Sequence, residues 1–261
     1  VIWLEDDPKH LGNILKESIN QFDKSFSGRY ISIDTSEFFH HHRKIGIGSS
    51  SAVSVASTKA LNQLFDLRLT PKEIISHSRA IHNRAQDSIG SGFDIITSSM
   101  EARALSCRVL DNGGYEYEQI ELPESIKIFV VINDEYVQTS EMIDRYKAAK
   151  NQYSDYFYQN APQMMSELEH LYDSILKKDN KSILRYLNRY NELLVDMDNK
   201  FNIGVFTNHH ELIKLARDGG VFYKPSGSGG GDIGLLISDD KNKLDTVCQK
   251  LNLREVTFFE I

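Results

Sequence analysis

Apolar residues recur at helical intervals at Leu11, Ile14, Leu15 and Ile19, which predicts a helix over 10–20, and the alternation in YISIDTS predicts a strand over 30–36. Residues 49–65 read as a second helix, with Ala52, Ala56 and Ala60 expected on a face packed closely against a neighbour. Thr70 followed by Pro71 opens a third, because threonine caps and proline is tolerated at the first helical position. Glycines 90, 92 and 114 then punctuate strand-like stretches, EARALSCRVL and YEYEQIEL.

From residue 126 the pattern changes. IKIFVVIND reads as a buried strand, and three helices follow over 141–157, 161–178 and 181–197. ELIKLARDGG is a short helix closed by glycine; VFYKPSG and DIGLLISD are strands, KNKLDTVCQKLN a helix and EVTFFEI a last strand. This order predicts an antiparallel sheet with helices on one face, the split βαβ plan. The fold class is therefore α+β, with an amino-terminal α+β domain over 1–124 and a ferredoxin-like domain with extra helices over 125–261. No internal repeat or low-complexity tract interrupts either.

Composition narrows the function. The 261 residues are 40% hydrophobic and 26% charged, as in an ordinary globular chain, and no apolar run reaches the ~18–20 residues that span a bilayer. Two cysteines, Cys107 and Cys248, form no disulfide framework, and no CxxC or HExxH is present to hold a metal. With no signal-peptide pattern, a cytoplasmic protein is expected. A formal net charge of −7 argues against nucleic acid or an acidic membrane as partner, so an anionic ligand must be caught by a local device.

Three glycine clusters offer such devices. Gly46, Gly48, Ser49, Ser50 and Ser51 precede a strong helix, where exposed N–H groups can hold an anion; a flexible turn before a helix has the same composition. Gly90, Ser91, Gly92, Phe93 and Asp94 place one acid after small residues, which alone is equally a turn. Lys224 to Asp232, KPSGSGGGD, spends more glycine than a hairpin needs, which favours close approach to a ligand. The run His40, His41 and His42 cannot converge on a metal in an extended segment and reads as a solvated loop. Tyr146, Tyr153, Tyr156, Tyr158, Tyr186 and Tyr190 read as packing residues.

Together, GIGSSSA, GSGFD and KPSGSGGGD resemble, in order and spacing, the three motifs of the GHMP small-molecule kinases. IDTSEFF, HNRAQDSIGSGFD, QTSEM and YKPSGSGGGDIGLLI are similar to the phosphomevalonate kinase family in particular. The resemblance implies ATP and Mg2+ as cofactors and phosphomevalonate as acceptor. Gly46, Gly48, Ser49, Ser50, Ser51, Gly227, Gly229 and Gly230 would bind nucleotide, and Ser50 would stand near the metal. Asp94 would be catalytic, while Ser91, Gly92 and Ser228 would meet the substrate. Arg79, His82 and Arg84 form a basic face on the helix leading into GSGFD; such a face is usually solvated, but its place before this segment makes Arg84 a candidate contact for an anionic substrate. Mevalonate or another alcohol is the alternative acceptor, and a catalytically inactive relative with a binding or regulatory role is the alternative of another class. A small-molecule partner is implied, in a monomer or homodimer. Glu101-Ala102 stands where the family often has two glycines, and Ser228 replaces the commoner alanine. The family's PGK followed by GEY or GEH does not occur here; because Val1 reads as mid-element, that segment is expected upstream.

Overall fold

The computed structural model describes residues 11–22, 31–40, 43–86, 90–110, 113–133, 139–227, 229–231 and 233–261. The chain forms two compact units, residues 1–119 and 120–261.

In the first unit, helices α1 (Leu11–Phe22), α2 (Ser49–Leu64) and α3 (Pro71–Gln86) pack through Ile14, Val53 and Ile81, and the short α4 (Phe93–Met100) joins α2 and α3. Thr70 and Glu73 start α3 reciprocally: Glu73 Oε2 accepts from the Thr70 amide and hydroxyl, both at 2.8 Å, and Thr70 Oγ1 accepts from the Glu73 amide. Two antiparallel hairpins complete the described part of the unit, β1 (Phe39–His40) with β2 (Arg43–Lys44) and β3 (Leu105–Val109) with β4 (Tyr115–Gln119).

Two expectations fail here. Residues 31–35 form no strand and Ile33 is exposed: alternation without a strand to pair with does not hold an extended segment in a sheet. Nor do the alanines of α2 make its packed face, for Ala56 and Ala60 are exposed. Ser49, Ser50, Ser51, Ser54, Ser57 and Thr58 are buried instead. Their hydroxyls are small enough for close helix packing, and part of their polarity is absorbed locally. Ser54 and Thr58 donate to the carbonyls one turn back, of Ser50 and Ser54, and Ser78 of α3 donates to Thr58 Oγ1 at 3.0 Å.

The second unit is built on β5 (Lys127–Ile132), β6 (Phe222–Pro225), β7 (Ile233–Ser238) and β8 (Phe258–Glu260), antiparallel throughout in the order β6-β7-β5-β8. This is the split βαβ arrangement, but helices cover both faces rather than one. Val131, Tyr223 and Leu236 point to α8 (His210–Asp218) and α9 (Lys241–Asn252), while Phe222 and Ile237 point to α6 (Ser154–Leu176) and α7 (Asn180–Phe201). Both faces are apolar where the central strand β7 and its neighbours are covered, and the nearly continuous run IKIFVVI of β5 already encodes this, whereas the edge strand β8 stays largely exposed. Helix α6 runs through Pro162 without breaking, where a boundary was expected at 157–161. The carbonyl that proline leaves without its helical partner belongs to Tyr158, an exposed residue. Helix α5 (Thr139–Gln152) joins α6 and α7 through Met142, Ala149, Met197 and the rings of Tyr156, Phe157 and Phe201. Tyr146, Tyr153 and Tyr156 thus pack against phenylalanines.

Candidate active site

In the first unit, Gly48 caps α2 in the left-handed conformation. The first bond along that helix is Ala52 N–H to the Gly48 carbonyl, so the amides of Ser49, Ser50 and Ser51 precede the helical ladder. Their side chains diverge. Ser51 Oγ donates to Asp94 Oδ2. Ser50 Oγ lies 3.1 Å from Nε2 of buried His82 on α3. Ser49 Oγ is buried and finds no partner among the described residues. A buried hydroxyl without a partner is costly, and at a helix start beside glycine it fits a ligand oxygen.

Asp94 is in the first turn of α4, exposed, and near enough to the loop that a methyl group on Gly48 would sit 3.6 Å from its Cβ. The GSGFD segment is pinned from behind. Tyr115 on β4 donates its hydroxyl to the Ser91 carbonyl at 2.7 Å, and burial pushes that phenol up, so it remains a donor. Gly92 makes room for it: a side chain there would meet the Tyr115 hydroxyl at 2.7 Å, and φ is +75°. Arg79 stacks over the Tyr115 ring at 4.9 Å and donates to the Gly113 carbonyl, while its buried Nε has no partner among the described residues. Arg84 is placed elsewhere on α3. Its Nε pairs with Glu17 of α1 at 2.9 Å and its Nη2 donates to Gln21 at 2.5 Å, which ties two helices together.

The second unit holds the glycine loop between β6 and β7. Gly227, Gly229 and Gly230 all have positive φ. At Gly229 nothing larger fits, since a Cβ would stand 2.5 Å from the Val205 carbonyl oxygen. The loop is seated on the 204–209 segment: the Gly230 amide donates to the Val205 carbonyl at 2.8 Å and Asn208 Nδ2 to the Gly230 carbonyl at 3.1 Å. His209 reaches the Gly231 carbonyl through Nε2 at 3.2 Å. That segment is fixed in turn by Asp198 near the end of α7, whose carboxylate accepts from the amides of Gly204, Val205 and Phe206. Ser228, Asp232, His41 and His42 lie outside the described residues.

Residues 13–102 match the family model described as "GHMP kinases N terminal domain". Solved structures extend the likeness to the whole chain. The Lin0012 protein from Listeria innocua superposes with a TM-score of 0.80 at 21% identity, covering 98% of this chain and 79% of that one. The chain has the GHMP kinase fold. Phosphomevalonate kinase of Streptococcus pneumoniae, in complex with phosphomevalonate and AMPPNP, gives a TM-score of 0.77 at 19% identity, covering 100% of this chain and 84% of that one. L. major mevalonate kinase with R-mevalonate gives 0.72 at 16%, covering 97% and 76%. No curated protein matches the sequence.

In this GHMP kinase fold the motif glycines and serines stand where the elements begin, yet the roles of several supporting residues escaped sequence reading. His82, Tyr115, Arg79, Asp198 and His209 hold the loops through contacts distant in sequence, which leave no local spacing to detect. Tyr115, the first residue of YEYEQIEL, and the histidine pair at the start of α8 were visible only as composition.

Proposed function

We propose that the protein is an ATP-dependent small-molecule kinase that transfers the γ-phosphoryl group to phosphomevalonate. The observation that carries the reading is the hydrogen bond between Ser51, in the glycine-serine start of α2, and Asp94, in the first turn of α4. It joins a phosphate-type loop to the one carboxylate that the GSGFD segment presents.

The amides of Ser49 to Ser51, preceded by Gly46 and Gly48, bind phosphate oxygens, and the unpartnered Ser49 hydroxyl fits that environment. Ser50 is the residue assigned to Mg2+, which when bound neutralises charge on the phosphates. His82 orients the Ser50 hydroxyl from below. Asp94 faces the acceptor, with Ser91 and Gly92 beside it. For an alcohol it takes the proton as general base. A phosphate monoester, with a second pKa near ~6, is mostly ionised at pH 7 and asks Asp94 for positioning rather than proton abstraction. Gly227, Gly229 and Gly230 offer a backbone loop to an anionic ligand, and Ser228 is assigned to the acceptor.

Phosphomevalonate is preferred to mevalonate because IDTSEFF, QTSEM and YKPSGSGGGDIGLLI are similar to that family and because the Streptococcus pneumoniae relative holds phosphomevalonate. A panel of acceptors, mevalonate, phosphomevalonate and homoserine among them, in an ATP-consumption assay tests the reading. It expects phosphomevalonate to support the highest kcat/KM. Turnover on homoserine alone would contradict the acceptor, and turnover on none would contradict the kinase.

A further inference from the structure

Side chains alternate along β6, so Lys224 leaves the sheet on the same face as Phe222, the face packed on α6 and α7. That is an unusual place for an ammonium group. Lys224 is partly buried there; withdrawing its charge from water is costly unless it is paired, and among the described residues no carboxylate forms an ion pair with it. Burial pulls its pKa below the ordinary lysine range.

Lys224 opens into a cavity of about 270 Å³ that lies wholly within the second unit. Tyr146, Tyr190, Asn191 and Leu194 line it on the helical side, and Gly227 and Gly229 form its wall at the glycine loop. The Asn191 side-chain oxygen is buried and also without a partner among the described residues. Burial keeps the Tyr190 phenol protonated by pushing its pKa up. Lys224, Asn191, Tyr146 and Tyr190 therefore line one space together with the apolar Leu194, Met197 and Phe206. The volume falls just below the ~300–1,000 Å³ that takes drug-sized ligands, which suits a small metabolite rather than a nucleotide.

We propose that this cavity binds a compact organic anion, a carboxylate or phosphate monoester, whose charged group pairs with Lys224 and whose remaining polar atoms meet Asn191 and the tyrosine hydroxyls. The anion is either the phosphoryl acceptor itself or a separate effector. The binding claim does not depend on the kinase reading.

The test uses the whole chain, with phosphomevalonate, mevalonate and inorganic phosphate as probes in calorimetric titration and thermal melts. Wild type should bind at least one organic anion at millimolar concentration or better. Lys224→Met keeps the aliphatic stem and removes the charge, and should weaken that binding at least tenfold while the nucleotide-induced rise in Tm is retained; Lys224→Arg should keep part of it. Asn191→Asp places a carboxylate in the same cavity and should weaken anion binding likewise, with an unchanged or higher Tm. If the anion is the acceptor, Lys224→Met raises its KM and leaves the KM for ATP within a few-fold. If it is an effector, acceptor KM stays and the added anion's influence on rate disappears. Binding of none of the probes to wild type, or equal affinity in wild type and Lys224→Met, overturns the proposal. Lysine-dependent binding without any ATP turnover would leave the cavity standing and remove the kinase reading alone.

Discussion

The hydroxyl of Tyr223 lies 2.8 Å from Nδ1 of His209, and both residues are buried. The other ring nitrogen faces the Gly231 carbonyl, which can only accept, so Nε2 carries the proton and Nδ1 accepts from Tyr223. The imidazole is thus neutral, and burial lowers its pKa to about 4 from the ordinary 6.5.

Stability should follow. A histidine held neutral in the folded state leaves the unfolded state to take up the proton first, so stability is full above pH 6.5 and falls as the pH drops towards about 4. The loss amounts to at most ~3.5 kcal/mol, at ~1.4 kcal/mol per pKa unit. Urea denaturation of wild type and His209→Gln from pH 4 to 7 checks this. The variant should be less stable at pH 7 and should lack this part of the pH slope; parallel slopes would contradict it.

Gly229→Ala should unseat the glycine loop, because the new Cβ would stand 2.5 Å from the backbone oxygen of Val205 at a φ of +80°. A Tm lower by several degrees and loss of ligand-induced stabilisation are expected in thermal melts with and without ATP. Gly227, where an added methyl group would meet nothing within 4 Å, is the control: Gly227→Ala carries only the backbone strain and should cost less.

Glu101 ends α4 in the left-handed conformation at φ +53° and pairs with Lys59 at 2.6 Å, both on the surface. Glu101→Ala removes the pair and keeps the strained backbone, whereas Glu101→Gly removes both. The glycine variant should be the more stable by roughly 1 kcal/mol, the cost of left-handed backbone for a residue with a Cβ. Equal unfolding midpoints would contradict this reading.

Ser51→Ala deletes the hydroxyl bonded to Asp94 and should lower kcat about tenfold or more while Tm falls by only a few degrees, since a hydrogen bond to a charged group contributes at most ~1.5–3 kcal/mol and the exposed carboxylate keeps water as an alternative partner. Steady-state kinetics beside a thermal melt separates the two effects.

How far these features were legible follows from their range along the chain. Helix α3 and its Thr70 start, the apolar strands β5 and β7, and the three glycine clusters all carry their signal within a few residues, and the split βαβ order follows from their sequence. What stayed hidden depends on partners. The serine face of α2 looked like the minor companion of its alanines, because hydroxyls that bond back to their own helix bury as readily as methyl groups. Arg84 and Arg79 share a helix, and only the fold shows that Glu17 takes the first while Tyr115 takes the second. Asp198 reads as one more acid on a polar helix face, yet its three amide bonds fix the segment on which the glycine loop rests.

The kinetic constants of Asp94→Asn beside wild type, with ATP, Mg2+ and either phosphomevalonate or mevalonate, test the central claim most directly. A residue that faces the acceptor should lose kcat while the KM for ATP holds within a few-fold. The loss should reach the ~10²–10⁴-fold of a missing general base on mevalonate and be smaller on the already ionised phosphomevalonate, which should be the better substrate of the wild type. An Asn variant as active as wild type on either acceptor would contradict the account.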